Sequence, residues 1–231
     1  MNITFTLAFP EHKDVIEPPK PASAFVPDWY KQITPWISGK KEPHPDTGSA
    51  NQTIKKCMPV FDMITAGYII TTPCDVWVKQ ENGAPFMQWT NYGIISFHPI
   101  VQTQGHPATK NGLDSPKWMN PWAIKTPKGW SCLFVTPAHR DLPFTLLPGI
   151  VDTDGYTAPV NFPFVLNDPK FEGLIPAGTP MVQVIPIKRD SWKLTIGEQK
   201  DYNEAQGIAR KMGTVFFDRY KRFWWNRKEY K

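Results

Sequence analysis

Apolar and polar positions alternate along much of the chain. NITFTLA (2–8) is β-rich and alternating, and predicts an opening strand. A proline-rich arm follows over 17–50. Within it, AFVPDWYKQI predicts one or two helical turns anchored by Phe25, Trp29 and Tyr30, and KKEPHPDTGSANQ (40–52) is a loop by composition. From residue 53 on, strand signals recur at roughly eight- to twelve-residue spacing. They are TIKKCMPVF, AGYIITTP, CDVWVKQ, FMQWTNY and IISFHPIV. Asn82-Gly83 between the third and fourth supplies the positive φ of a tight hairpin. A polar loop with Gly and Pro spans 103–121, and WAIKT, GWSCLFVTP, FTLLP, APVNFPFVL and PMVQVIPIKR predict further strands. From 202 the period changes. Ala205, Ile208, Ala209, Met212, Phe216, Tyr220 and Phe223 recur at three- and four-residue steps, one face of a long helix.

Composition strengthens this picture. Of 231 residues, 25 are proline and 41% are apolar, which favours short strands joined by fixed turns around a sizeable core. The predicted fold is mainly β, a sandwich or jelly-roll-like barrel, with an extended Pro-rich N-terminal arm and a C-terminal helix. The predicted segments are the arm (1–52), a β-rich core domain (53–190), and a basic aromatic helix (191–231) packed on the core or on a partner.

Charge and cysteines narrow the classes. The net charge is +5, and residues 210–231 alone carry eight Lys/Arg against two acids. Cys57, Cys74 and Cys132 form no CxxC pair and no zinc spacing, so reduced thiols buried in apolar strands are expected. No run approaches eighteen apolar residues and the N-terminus lacks a signal-peptide pattern, which predicts a soluble, cytoplasmic protein without a membrane span.

Candidate chemistry sits in three places. GIVDTDGY (149–156) sets Asp152 and Asp154 two apart between glycines. Asp and Gly suit a β-turn, since Asp accepts from local amides and Gly takes positive φ; a DxD metal loop needs further oxygen ligands. His98, His106 and His139, if they meet, would suit a metal in a β-barrel enzyme, although no HxH or HxD occurs on one strand. The tail RKMGTVFFDRYKRFWWNRKEYK interleaves cations and aromatics, with Arg219, Arg222, Trp224 and Trp225 as its contact surface. That composition suits phosphate contacts with base stacking, a membrane-surface helix, or a docking helix between subunits or onto a protein partner. No Gly-x-Ser-x-Gly elbow and no P-loop is present.

Three pieces taken in order carry a resemblance: PKGWSCLFVTPAHR (127–140), PGIVDTDGY (148–156) and GTPMVQVIP (178–186). Together they resemble the trimeric dUTPase and dCTP deaminase superfamily, the β-clip fold, over about residues 120–188. PDWYK, TIKKCMPVFDMITAGYII, NFPF and IPAGTPMVQVIP also look like a family of uncharacterised tailed-phage proteins, which would place the chain in the host cytoplasm. The first resemblance implies a trimer, with Asp152 orienting an attacking water. It further implies nucleotide contacts by Arg140, Tyr156 and Gln183, and Mg²⁺ on that reading only.

The chain departs from the pattern. Asp141 and Leu142 stand where serines are expected, and Gly155 lengthens the hairpin. No glycine-rich C-terminal motif follows, and APVNFPFVL lacks the deaminase glutamate. The first expectation is therefore a binding or assembly protein with no intact catalytic motif. The alternatives are a nucleotide-binding or dUTPase-like protein and a metal-dependent β-barrel enzyme.

Overall fold

The computed structural model describes residues 1–44, 46, 51–90, 93–108, 114–212 and 218–231. Two compact units divide the chain. Unit 1 comprises Met1–Phe25, Ala66–Arg189 and Tyr230; unit 2 comprises Val26–Thr65, Asp190–Glu229 and Lys231.

In chain order the elements are β1 (Thr4–Leu7), β2 (Lys20–Pro21), α1 (Asp28–Gln32), α2 (Met58–Thr65), β3 (Tyr68–Thr71), β4 (Val76–Glu81), β5 (Ala84–Trp89), β6 (Ile95–His98) and α3 (Ile100–Thr103). They continue with β7 (Ser115–Trp118), β8 (Trp122–Lys125), β9 (Trp130–Val135), β10 (Phe144–Leu146), β11 (Gly149–Val151), β12 (Phe162–Leu166), β13 (Gly173–Ile175), β14 (Pro180–Lys188), α4 (Gln199–Met212) and α5 (Arg219–Phe223).

All the strands lie in unit 1, and every pairing is antiparallel. The described residues form four sheets, ordered β1-β8, β10-β12-β7-β6, β11-β9-β14-β3-β2 and β13-β4-β5. The chain is thus mainly β with C-terminal helices, and no closed barrel is formed among the described residues. β14 runs between β9 and β3, with Met181, Val182, Gln183 and Val184 all buried. A strand covered on both faces reads as a continuous apolar run, which is what MVQV is apart from its one amide. The β4–β5 hairpin turns on Asn82 (φ 51°) and Gly83 (φ 79°), the paired positive φ values of a two-residue turn.

The core of unit 1 centres on three aromatic rings from adjacent strands. Trp118 stacks on Phe164 with centroids 4.6 Å apart, and both meet Phe144, at 5.3 and 5.5 Å. All three are fully buried, and such rings give close contact at offset or edge geometry beyond their area burial. Gly67 (φ 67°) lets β3 approach β14: a Cβ there would lie 1.9 Å from the Val184 carbonyl oxygen.

Several expectations need correction. TIKKCMPVF is helical. Thr53 accepts the Lys55 amide to open a 3₁₀ turn over Ile54–Lys56, and α2 begins at Met58 with Pro59 in its first turn, where no amide is needed. Cys57 caps that turn and is exposed, and Cys74 precedes β4 in a bend; only Cys132 is buried in a strand. The predicted loop 103–121 contains β7; its residues 109–113 lie outside the described residues, as do 45 and 47–50 of the earlier loop and Asn91-Tyr92 of FMQWTNY. The single C-terminal helix is two. Asp218 sits at φ 62° immediately before α5, and 213–217, including Phe216 of the expected face, lie outside the described residues.

Candidate functional site

GIVDTDGY is a turn clamped by an arginine. Asp152 accepts the amides of Gly155 and Tyr156 through its backbone carbonyl, at 3.1 and 2.9 Å. Its carboxylate accepts the Ser131 hydroxyl at 2.7 Å and lies 3.0 Å from Arg189 Nη1. Asp154 accepts the Gly129 amide at 2.8 Å and takes both terminal nitrogens of Arg189, Nη1 at 2.8 Å. Between them Thr153 is buried, its hydroxyl 2.7 Å from that of Thr126. The Arg189 pair, then the Gly129 amide, holds the Asp154 carboxyl down at about 2. Asp152 is lowered by Ser131 and then Arg189. A planar guanidinium forked onto a carboxylate is the strong form of such a pair, and here it ties the end of β14 to the turn after β11.

The other residues of the resemblance are also held by the body of unit 1. Gln183 is fully buried. Its Oε1 accepts the Ala138 amide at 2.9 Å and its Nε2 donates to the Ala66 carbonyl at 2.7 Å. Arg140 donates to the carbonyls of Ala138 and Phe25, both at 2.9 Å, and burial lowers its pKa to about 10, leaving it charged at neutral pH. Tyr156 is exposed. Asp152 and Arg189 come together; the sequence reading missed Arg189 and Ser131, whose contacts span 35 and 21 residues and leave no local pattern.

The histidines do not gather. His98 Nδ1 meets Gln102 Oε1 at 2.7 Å, His106 Nδ1 accepts the Ala108 amide at 3.1 Å, and His139 sits at φ 56° in an exposed turn. Among the described residues no group of three or more His, Cys, Asp or Glu side chains is disposed to hold a metal ion. None of their helices is long and apolar enough to cross a membrane.

Unit 2 holds a cleft of about 510 Å³ lined by Tyr30, Phe61 and Trp225 with Lys55, Lys221 and Arg227, together with Val26 and Met58. Trp225 is positioned by Asp62, whose two carboxylate oxygens accept its indole N–H, each at 2.9 Å. Lys228 binds the same carboxylate at 2.6 Å. Lys221 and Lys228 stand 6.0 and 5.9 Å from the Trp225 ring centroid, the outer reach of a cation–π contact. Tyr30 stacks on Phe61 at 6.2 Å, and Lys55 lies over Tyr30 at 4.6 Å while donating to the Tyr30 and Lys31 carbonyls. Burial, and after it the Cys57 side chain, pushes the Tyr30 phenol up from its ordinary value.

Lys56 pairs with Asp218 at 2.7 Å and fixes the start of α5. Of the expected tail surface, Arg222 is exposed, and Arg219, Trp224 and Trp225 are half-buried. Unit 2 carries 15 Lys/Arg against 10 acids, the whole of the net +5, while unit 1 balances 11 against 11.

Unit 1 has a cleft of similar size, about 500 Å³, with Phe9, His12, Ile16, Ile94, Met119, Asn120 and Asn161 in its wall and, among the described residues, no Lys, Arg, Asp or Glu. No protein-family model matches the chain, and no curated protein matches it.

Proposed function

We propose that the chain is a binding protein in which a neutral β body carries a basic, aromatic-lined unit that holds single-stranded nucleic acid. The observation behind this is the unit 2 cleft, where three aromatic side chains and three cations line one surface and, among the described residues, no acid does. Every base has a π-face, so a ring such as Trp225 accepts any base in turn, while Lys221 and Arg227 meet the phosphates. Asp62 orients Trp225 in advance, which lowers the ordering that binding requires. We place unit 1 in the β-clip or jelly-roll class, serving as scaffold; the antiparallel β9–β11 pairing and the central β14 support this. In that scaffold Asp152, Gln183 and Arg140 bind the protein's own groups.

The test is fluorescence anisotropy of a labelled thymidine oligonucleotide against the full chain over a salt series. Binding should weaken with salt, and Trp225→Ala should remove about 1–3 kcal/mol, the typical worth of one stacked base. Replacing Lys221 and Arg227 together by Ala should flatten the log–log salt slope by about 1.4 if each meets one phosphate. Absence of binding at low salt, or a Trp225→Ala protein that binds like the parent, would sink the reading.

A further inference from the structure

After Arg189 comes an uncovered segment with an alternating apolar and polar pattern. In DSWKLTIG (190–197), Trp192, Leu194 and Ile196 alternate with Ser191, Lys193 and Thr195, a period of two. These three apolar side chains are 92%, 86% and 86% exposed. Residues 191–197 take no hydrogen bond among the described residues, so both backbone edges are open as well. Single exposed apolar residues are ordinary; three of them at alternate positions of an unpaired segment are not.

The helix that follows carries a matching stripe. Tyr202, Ile208 and Met212 of α4 are 58%, 39% and 44% exposed and fall with Ala205 and Ala209 within one third of the helix circumference. The segment and the helix thus each carry exposed apolar side chains.

We propose that these side chains are covered by a second copy of the same chain, through a two-stranded antiparallel ribbon formed by residues 191–197 of both copies. The pattern is self-complementary. A two-fold axis at Leu194 sets Leu194 opposite Leu194 of the second copy and Trp192 opposite Ile196, all on one face, and leaves Lys193 beside Thr195 on the other. Asp190 would then face Glu198, a like-charge pair that ends the ribbon at its tips. The α4 stripes of the two copies close over the apolar side.

The area points the same way. At about 150–250 Å² per aromatic side chain, Trp192 and Tyr202, 92% and 58% exposed, offer about 300 Å² per copy, and Leu194, Ile196, Ile208 and Met212 add to it toward the roughly 800 Å² that one partner gives to a standard-sized interface. The symmetric, isologous arrangement is the commonest way identical chains associate. This inference is independent of the nucleic-acid reading and uses none of the cleft residues.

The experiment uses the full chain without any ligand. Sedimentation velocity through the micromolar range should show a dimer, and Leu194→Lys should make it a folded monomer with the parent's circular dichroism spectrum, its melting temperature lower only by what association adds to the parent and equal to it where the parent is diluted to monomer. In a Cys57→Ser background, Leu194→Cys should form an interchain disulfide under mild oxidation, since the axis sets the two sulfurs together. Lys193→Cys should not, since its twin lies two residues away on the ladder. A monomeric parent protein, a Leu194→Lys dimer, or equal cross-linking by the two cysteine variants would each overturn the proposal.

Discussion

Gln183 separates two views of unit 1. If it serves as a clip between the loop after β9 and the entry to β3, its removal acts on stability. If it serves a ligand, removal acts on binding. Gln183→Met keeps the length of the side chain and deletes both hydrogen bonds, the one from the Ala138 amide at 2.9 Å and the one to the Ala66 carbonyl at 2.7 Å. Each is worth about 0.5–1.5 kcal/mol net, so the variant should lose about 1–3 kcal/mol. For a chain of this size that is a fall of about 3–10 °C in melting temperature. Urea unfolding should show a lower midpoint at an unchanged slope. Gln183→Glu sharpens the test. A buried carboxylate there faces the Ala66 carbonyl, so it should be less stable than the Met variant at neutral pH, and should recover as acid protonates the carboxyl and restores a donor. A Gln183→Met protein that melts within a degree of the parent would refute the clip.

Other outcomes follow from particular contacts. Asp154 is held at about 2, chiefly by Arg189, so its stabilisation is complete above the ordinary carboxyl range near pH 4 and is lost as pH falls through about 2; Asp154→Asn should flatten the melting-temperature curve in that window. Gly67→Ala must leave a φ of 67° or meet the Val184 carbonyl oxygen at 1.9 Å, and should lower stability by more than about 2 kcal/mol in the same assays. A thiol reagent should titrate Cys57 rapidly in the native protein and reach Cys74 and Cys132 only on unfolding, with the Cys132 thiol further slowed by a pKa that burial raises.

Much of the fold was legible because strands leave a period of two and because Asn-Gly marks its own turn. The β4–β5 hairpin was readable for those reasons, and β14 as a short continuous apolar run. TIKKCMPVF was not, since an apolar run of that length suits either state. The deciding features were Thr53 accepting an amide two residues on and Pro59 entering a first turn, both small and local. The turn reading of Asp152 and Asp154 rested on residue chemistry. Arg189, which clamps it, lies 35 residues beyond Asp154 and belongs to no recognisable spacing. The basic-aromatic character of the tail was plain in sequence, yet its cleft depends on Tyr30, Lys55 and Phe61 from a segment more than 150 residues earlier. Likewise, the WKLTI alternation was present in the sequence, but that nothing covers it is a fact of three dimensions.

The Arg189 fork also bears on how the chain meets a protease. Trypsin must draw a basic side chain, extended, into its own acidic pocket before it can cut after it. At Arg189 that side chain is already held by the two carboxylates of the turn at 152–156, whereas Lys193 stands in the uncovered segment four residues on. Brief digestion should therefore nick after Lys193 and spare the bond after Arg189. The fragment left behind would end a few residues past β14 and keep its last turn closed. If two copies pair along that segment, the nick itself should slow as concentration rises, and the rate of cleavage becomes a measure of association.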